Sequence, residues 1–100
     1  MLDTARKALR MIEGKSRLDY DQDEALQLAL THLLQTIGEA ARRLSADFRA
    51  AHPEIPCAAI VGVRHRVVHD YLHVDFDVVW DVVTRDLPAL AARLNEVLRE

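Results

Sequence analysis

Two arginines, two histidines and a tyrosine fall within eight residues, Arg64-His65-Arg66-Val67-Val68-His69-Asp70-Tyr71. Histidine titrates close to neutrality and can move protons at physiological pH. Arginine stays charged and grips phosphate or carboxylate oxygens through paired N–H groups. The flanks, Ile60-Val61-Gly62-Val63 and Leu72-His73-Val74, are mostly apolar, so polar chemistry sits in a segment that otherwise favours burial. In a continuous helix, Arg64 and Tyr71 fall about 20° apart, and His69 lies roughly 140° from Arg64. One helix alone does not close a site between them. The reach of the arginine, or a second copy of the helix, would have to do so. Taken singly, the same residues have plainer readings: a packed or surface histidine, an arginine paired with Glu39 or Asp70, and an aromatic with its hydroxyl at the surface.

A metal is the other chemistry the histidines suggest. His65, His69 and His73 stand at i, i+4 and i+8, and two histidines four apart on a helix can share an ion. No glutamate follows His65, as a His-Glu-x-x-His motif requires, and the acids at 75, 77, 81 and 86 read as caps and solvated faces. No metal and no cofactor are expected.

The elements that must position these residues read as helices. The 100 residues suit one domain, 1–100. Half of them are hydrophobic, yet so small a domain buries a modest fraction of its surface, and oligomerisation would help. A net charge of −3 and a pI near 5.9 argue against a general nucleic-acid coat, which is normally basic. They leave room for an enzyme with a local basic cleft. The single Cys57 excludes an intramolecular disulfide and a multi-cysteine zinc site. No apolar run approaches the ~18 residues of a membrane span, and no signal-peptide pattern opens the chain, so the expected location is the cytoplasm. Three glycines, three prolines and no alternating runs predict an all-α fold.

Leu2, Ala5, Leu9 and Ile12 predict a first helix over 2–13, stopped by Gly14. Lys15–Tyr20 reads as a polar connection, and Asp21 with Glu24 as a capping box. Leu26, Leu30, Leu33, Ile37, Ala41, Leu44 and Phe48 predict one long helix over about 22–50. Gly38 costs that helix ~1 kcal/mol relative to Ala, so a closely approaching helix is expected there. Arg42, Arg43 and Arg49 line its end, either as a solvated face or as phosphate contacts. The two prolines of His52-Pro53-Glu54-Ile55-Pro56 break it. A third helix follows from Pro56 and frays near Asp70–Leu72. Asp75 caps a fourth, with Asp77 in its first turn. Asp86-Leu87-Pro88 starts or kinks a fifth, with Leu90, Leu94, Val97 and Leu98 buried.

The pattern Arg64-x4-His69-x-Tyr71 resembles the signature of HEPN-superfamily ribonucleases, most closely the HepT-like toxin branch. Four more blocks share the resemblance in the family's order, over roughly residues 20–98: Ile37-Gly38-Glu39-Ala40-Ala41-Arg42-Arg43-Leu44, Pro53-Glu54-Ile55-Pro56, Val74-Asp75 with Val79-Trp80, and Asp86-Leu87-Pro88. Two positions depart from it. The family usually has Asn after the motif arginine, where this chain has His65, and often an aromatic where it has Cys57. The resemblance implies an up-down HEPN-like bundle of about five helices, acting as a homodimer. It implies metal-independent RNA cleavage: the RNA 2′-hydroxyl attacks the adjacent phosphate, His69 moves the proton, and Arg64 holds the phosphorane. His65 and Arg66 would support the site or contact RNA. The implied partner is a nucleotidyltransferase antitoxin that adds AMP to Tyr71. His65 in place of Asn keeps an alternative open, a non-catalytic HEPN module that docks the nucleotidyltransferase.

Overall fold

Leu2, Ala5 and Ala8 are the buried positions of the first helix, α1 (Leu2–Met11), and they recur at helical spacing. Gly14, at φ 71°, ends the turn after it, in a conformation where glycine carries no Cβ penalty. The computed structural model describes the backbone of residues 1–70 and 73–98, and every side chain there except those of Arg64, His69 and Asp70.

The segment expected as a polar connection contains a short helix, α2 (Arg17–Asp21). Its capping box is Ser16 with Asp19: the Ser16 hydroxyl accepts from the Asp19 N–H at 3.1 Å, and the Asp19 carboxylate accepts from the Ser16 N–H at 2.9 Å. The box expected at Asp21 and Glu24 is therefore misplaced. Asp23 caps the next helix instead, accepting from the Leu26 N–H at 3.0 Å. A five-residue helix is too short to show a period, and here Asp does the work usually given to Glu or Gln.

The long helix is also divided. α3 (Glu24–Arg42) buries Leu26, Leu30, Leu34, Ile37 and Ala41. α4 (Ala46–Ala51) starts afresh at Ser45, whose hydroxyl accepts from the Phe48 N–H at 3.0 Å. Leu44 and Phe48 still pack on the core, so the apolar spacing runs straight through the break. Arg49 clasps the corner, donating to the Ala41 carbonyl at 2.8 Å and the Arg42 carbonyl at 3.3 Å. These are carbonyls that the end of α3 leaves without an intrahelical partner.

After the proline break comes α5 (Cys57–Val67), with Cys57, Ile60 and Val67 buried. It lies along α3: the Ile60 carbonyl oxygen is 3.5 Å from where a Cβ on Gly38 would sit. Helix α5 ends earlier than expected. Val68–Asp70 (β1) pairs antiparallel with His73–Val74 (β2), Val68 opposite Val74 and Asp70 opposite His73. The β-branched pair Val67-Val68 suits a pleated backbone, and the Asp75 N–H closes on the Val67 carbonyl at 2.7 Å. The expected fraying at Asp70–Leu72 is replaced by this ribbon for the residues described. The i, i+4, i+8 helical face for His65, His69 and His73 does not exist, because the chain leaves the helix between the first two.

Asp75 caps α6 (Phe76–Asp81) as the spacing predicts, accepting from the Val78 N–H at 3.1 Å. The chain then runs through a wide π turn, Val82–Asp86, into α7 (Leu87–Leu98). The kink expected at Asp86-Leu87-Pro88 takes this form. Pro88 has no N–H and its ring crowds the carbonyl four residues back, and the wider turn before it relieves both.

Tyr20 ties α2 to α6. It is fully buried, its hydroxyl donates to the Phe76 carbonyl at 2.7 Å, and its ring centroid lies 4.9 Å from that of Trp80. Arg17 reinforces the same junction through ion pairs to Asp21 and Asp77. The result is an all-α bundle with one two-stranded ribbon, and the two short helices raise the helix count above the expected five. Among the described residues no helix is long and apolar enough to cross a membrane.

Candidate functional site

The motif residues are carried by α5 and β1, and α3 forms the opposite wall. Arg64 lies in the last turns of α5 and His69 in the middle of β1; both side chains lie outside the described residues. Tyr71, expected as the AMP acceptor, lies outside them altogether. The 140° offset between Arg64 and His69 assumed one continuous helix, and it lapses once the backbone turns into a strand after Val67.

His65 and Arg66 are both exposed, yet they open on different sides of α5. His65 lines a cleft of about 390 Å³ between α3 and α5, with Gly38, Glu39, Arg42, Val61 and Val68. Arg66 instead borders a hollow of about 370 Å³ against α7, floored by aliphatic residues such as Leu34, Ile60 and Leu90 and edged by Arg85 and Arg93. The two residues grouped by the sequence as supporting the site therefore serve separate surfaces.

Charge in the α3–α5 cleft is organised by Glu39. Its carboxylate accepts from Arg42 at 2.5 Å and lies 3.6 Å from Arg43. The hydrogen bond to Glu39 holds the Arg42 guanidinium still more firmly protonated. Arg42 and Arg43 are 66% and 78% exposed, so their cationic faces remain open to an anion. Arg49, the third arginine of that stretch, is turned inward onto the end of α3 and has a structural task. Glu39 is the site residue that sequence reasoning gave least weight. The signal for it was its place three and four residues before two arginines on one helix face.

Arg64 and His69 thus lie on either side of the point where α5 passes into a ribbon, within an all-α bundle. The family model described as ribonuclease HepT-like matches residues 1–97. The chain belongs to the HepT-like ribonuclease family, enzymes of HEPN type that act on RNA. It is 32% identical to a protein named a probable ribonuclease HepT from Thermococcus cleftensis, over 96% of this chain and 91% of that one. It is 30% identical to a protein provisionally named an RNase from Methanocaldococcus jannaschii, over 97% and 92% of the two chains. A similarly named protein of Caldanaerobacter subterraneus subsp. tengcongensis is 29% identical over 92% and 82%. No solved structure matches the chain.

Proposed function

We propose that the protein is a metal-independent endoribonuclease, the toxin of a toxin–antitoxin pair, with Arg64 and His69 as its catalytic residues. The observation that carries this reading is the family match across residues 1–97 together with the sequence motif Arg64-x4-His69-x-Tyr71, whose Arg64 and His69 lie on either side of the α5–β1 junction. The 2′-hydroxyl of RNA attacks the adjacent phosphorus, and the bond from phosphorus to the 5′-oxygen breaks. The products are a 2′,3′-cyclic phosphate and a 5′-hydroxyl. His69 moves the proton, and Arg64 holds the charge that builds on the phosphorane through paired N–H donors.

A second copy of the chain completes the working enzyme as a homodimer in the cytoplasm, with residues 1–100 forming one domain in each protomer. The partner is a nucleotidyltransferase antitoxin that adds AMP to the Tyr71 hydroxyl. Two residues beyond His69, that bulky anion opposes a second phosphate by charge and by size. His65 and Arg66 sit beside the motif on exposed faces, where they support RNA contact.

The test uses protein shown by mass spectrometry to carry no nucleotide on Tyr71. Labelled RNA cut in excess EDTA, with cyclic phosphate ends, is the expected result. Activity lost with chelator and restored by zinc would refute the metal-independent mechanism. An unmodified parent that never cuts RNA would favour the docking module over the enzyme.

A further inference from the structure

Two hollows meet on the outer side of α3. The cleft beside His65 holds Glu39 and Arg42, and a neighbouring hollow of about 380 Å³ holds His32, Thr36, Glu39 and Arg43. Glu39 borders both, so they adjoin at that residue and follow one another along α3 as a track. From His32 to Arg43 it runs about 17 Å along the helix at 1.5 Å per residue. It reaches the residue directly after Arg64.

We propose that this track is the subsite that holds single-stranded RNA leading into the cleavage centre, and that Glu39 is an internal stand-in for its phosphates. The proposal rests on the ribonuclease reading above. Arg42 and Arg43, already gathered on one carboxylate, are spaced to grip an oxyanion. A phosphate entering the cleft takes over arginine N–H donors that Glu39 now holds. The exposed rings of His32 and His65, toward the two ends of the track, offer faces on which unpaired bases stack. Sites for single strands combine cations along the backbone with rings on which bases stack, and here the cations are confined to a local pair on α3. That suits a chain whose net charge is −3.

The experiment measures binding of a fluorescent single-stranded RNA, fully 2′-O-methylated so that it cannot be cut, across a salt series. Arg42→Ala and Arg43→Ala each weaken binding and flatten the log–log salt slope by about 0.7, the value for one single-strand phosphate contact. Arg10→Ala, an exposed arginine on α1, leaves the slope unchanged. His65→Ala weakens binding about tenfold with no change of slope, as loss of one stacked base would. Glu39→Gln tightens binding severalfold in the parent and has much less effect when Arg42 and Arg43 are both alanine. Arg42→Ala and Arg43→Ala indistinguishable from Arg10→Ala would overturn the subsite, and the ribonuclease reading would still stand if the parent cuts ordinary RNA. A parent that neither binds the methylated strand nor cuts ordinary RNA would overturn both.

Discussion

Gly38 sets how α3 meets the helix that carries Arg64 and His65. Replacing it with alanine adds one methyl group whose nearest neighbour outside α3 would be the Ile60 carbonyl oxygen, at 3.5 Å. That is ordinary van der Waals contact, so neither helix has to move. Alanine is better than glycine in a helix interior by ~1 kcal/mol. Gly38→Ala should therefore stabilise the protein by about 1 kcal/mol, which for a chain of this size raises Tm by roughly 4–8 °C. Leucine is different, because its branch must pass beyond the 3.5 Å that a Cβ occupies. Gly38→Leu should cost about 1–3 kcal/mol through overpacking and push α5 away from α3. Urea melts followed by circular dichroism would measure both. If Gly38→Ala destabilises the fold by 1 kcal/mol or more, the helices require a closer approach than 3.5 Å allows, and the reasoning fails.

Tyr20 should give the protein an alkaline limit. Burial pushes its phenol up to about 12, so the folded state keeps this proton over a range in which the unfolded chain has lost it. Stability should then be intact below pH ~10 and fall by on the order of 2 kcal/mol as pH rises through 12. Urea midpoints at rising pH check this, and Tyr20→Phe should remove that component while costing roughly 1 kcal/mol at neutral pH through the lost bond to the Phe76 carbonyl. A wild-type pH profile matching that of Tyr20→Phe would contradict the assignment. Asp75→Ala removes the acceptor for the Val78 N–H at the start of α6 and should cost about 0.5–2 kcal/mol. Differential scanning calorimetry reads that loss, and an unchanged Tm would mean the cap contributes nothing.

What the sequence made legible were features written in single residues. Asp75 as a cap, Gly14 as a stop, the break at Pro53 and Pro56, and the disturbance at Pro88 each follow from one side chain acting on its own backbone. What it hid were features decided by tertiary contact. Leu44 and Phe48 keep their apolar spacing across the Ser45 break, so periodicity sees one helix where Arg49 clasps two. The α5–β1 change was missed for a similar reason: Val67 and Val68 are compatible with a helix, and the ribbon forms because β2 is there to pair with. At the site, residue types were readable but relations were not. His65 and Arg66 are neighbours in sequence and open on different faces, whereas Glu39 and His65 are 26 positions apart and share a cleft.

Arg64 and His69 are proposed to act together on one RNA transition state. Single-turnover cleavage of a labelled RNA by folded Arg64→Ala, His69→Ala and double-variant proteins measures this most directly, with Arg10→Ala, far from the cleft on α1, as a control that should stay active. Each single variant should lose ~10²–10⁴ in rate, and the double variant should be little slower than the slower single, since both groups serve the same step. Cleavage at the parent rate by both folded single variants would contradict the account and place any nuclease activity elsewhere on the molecule.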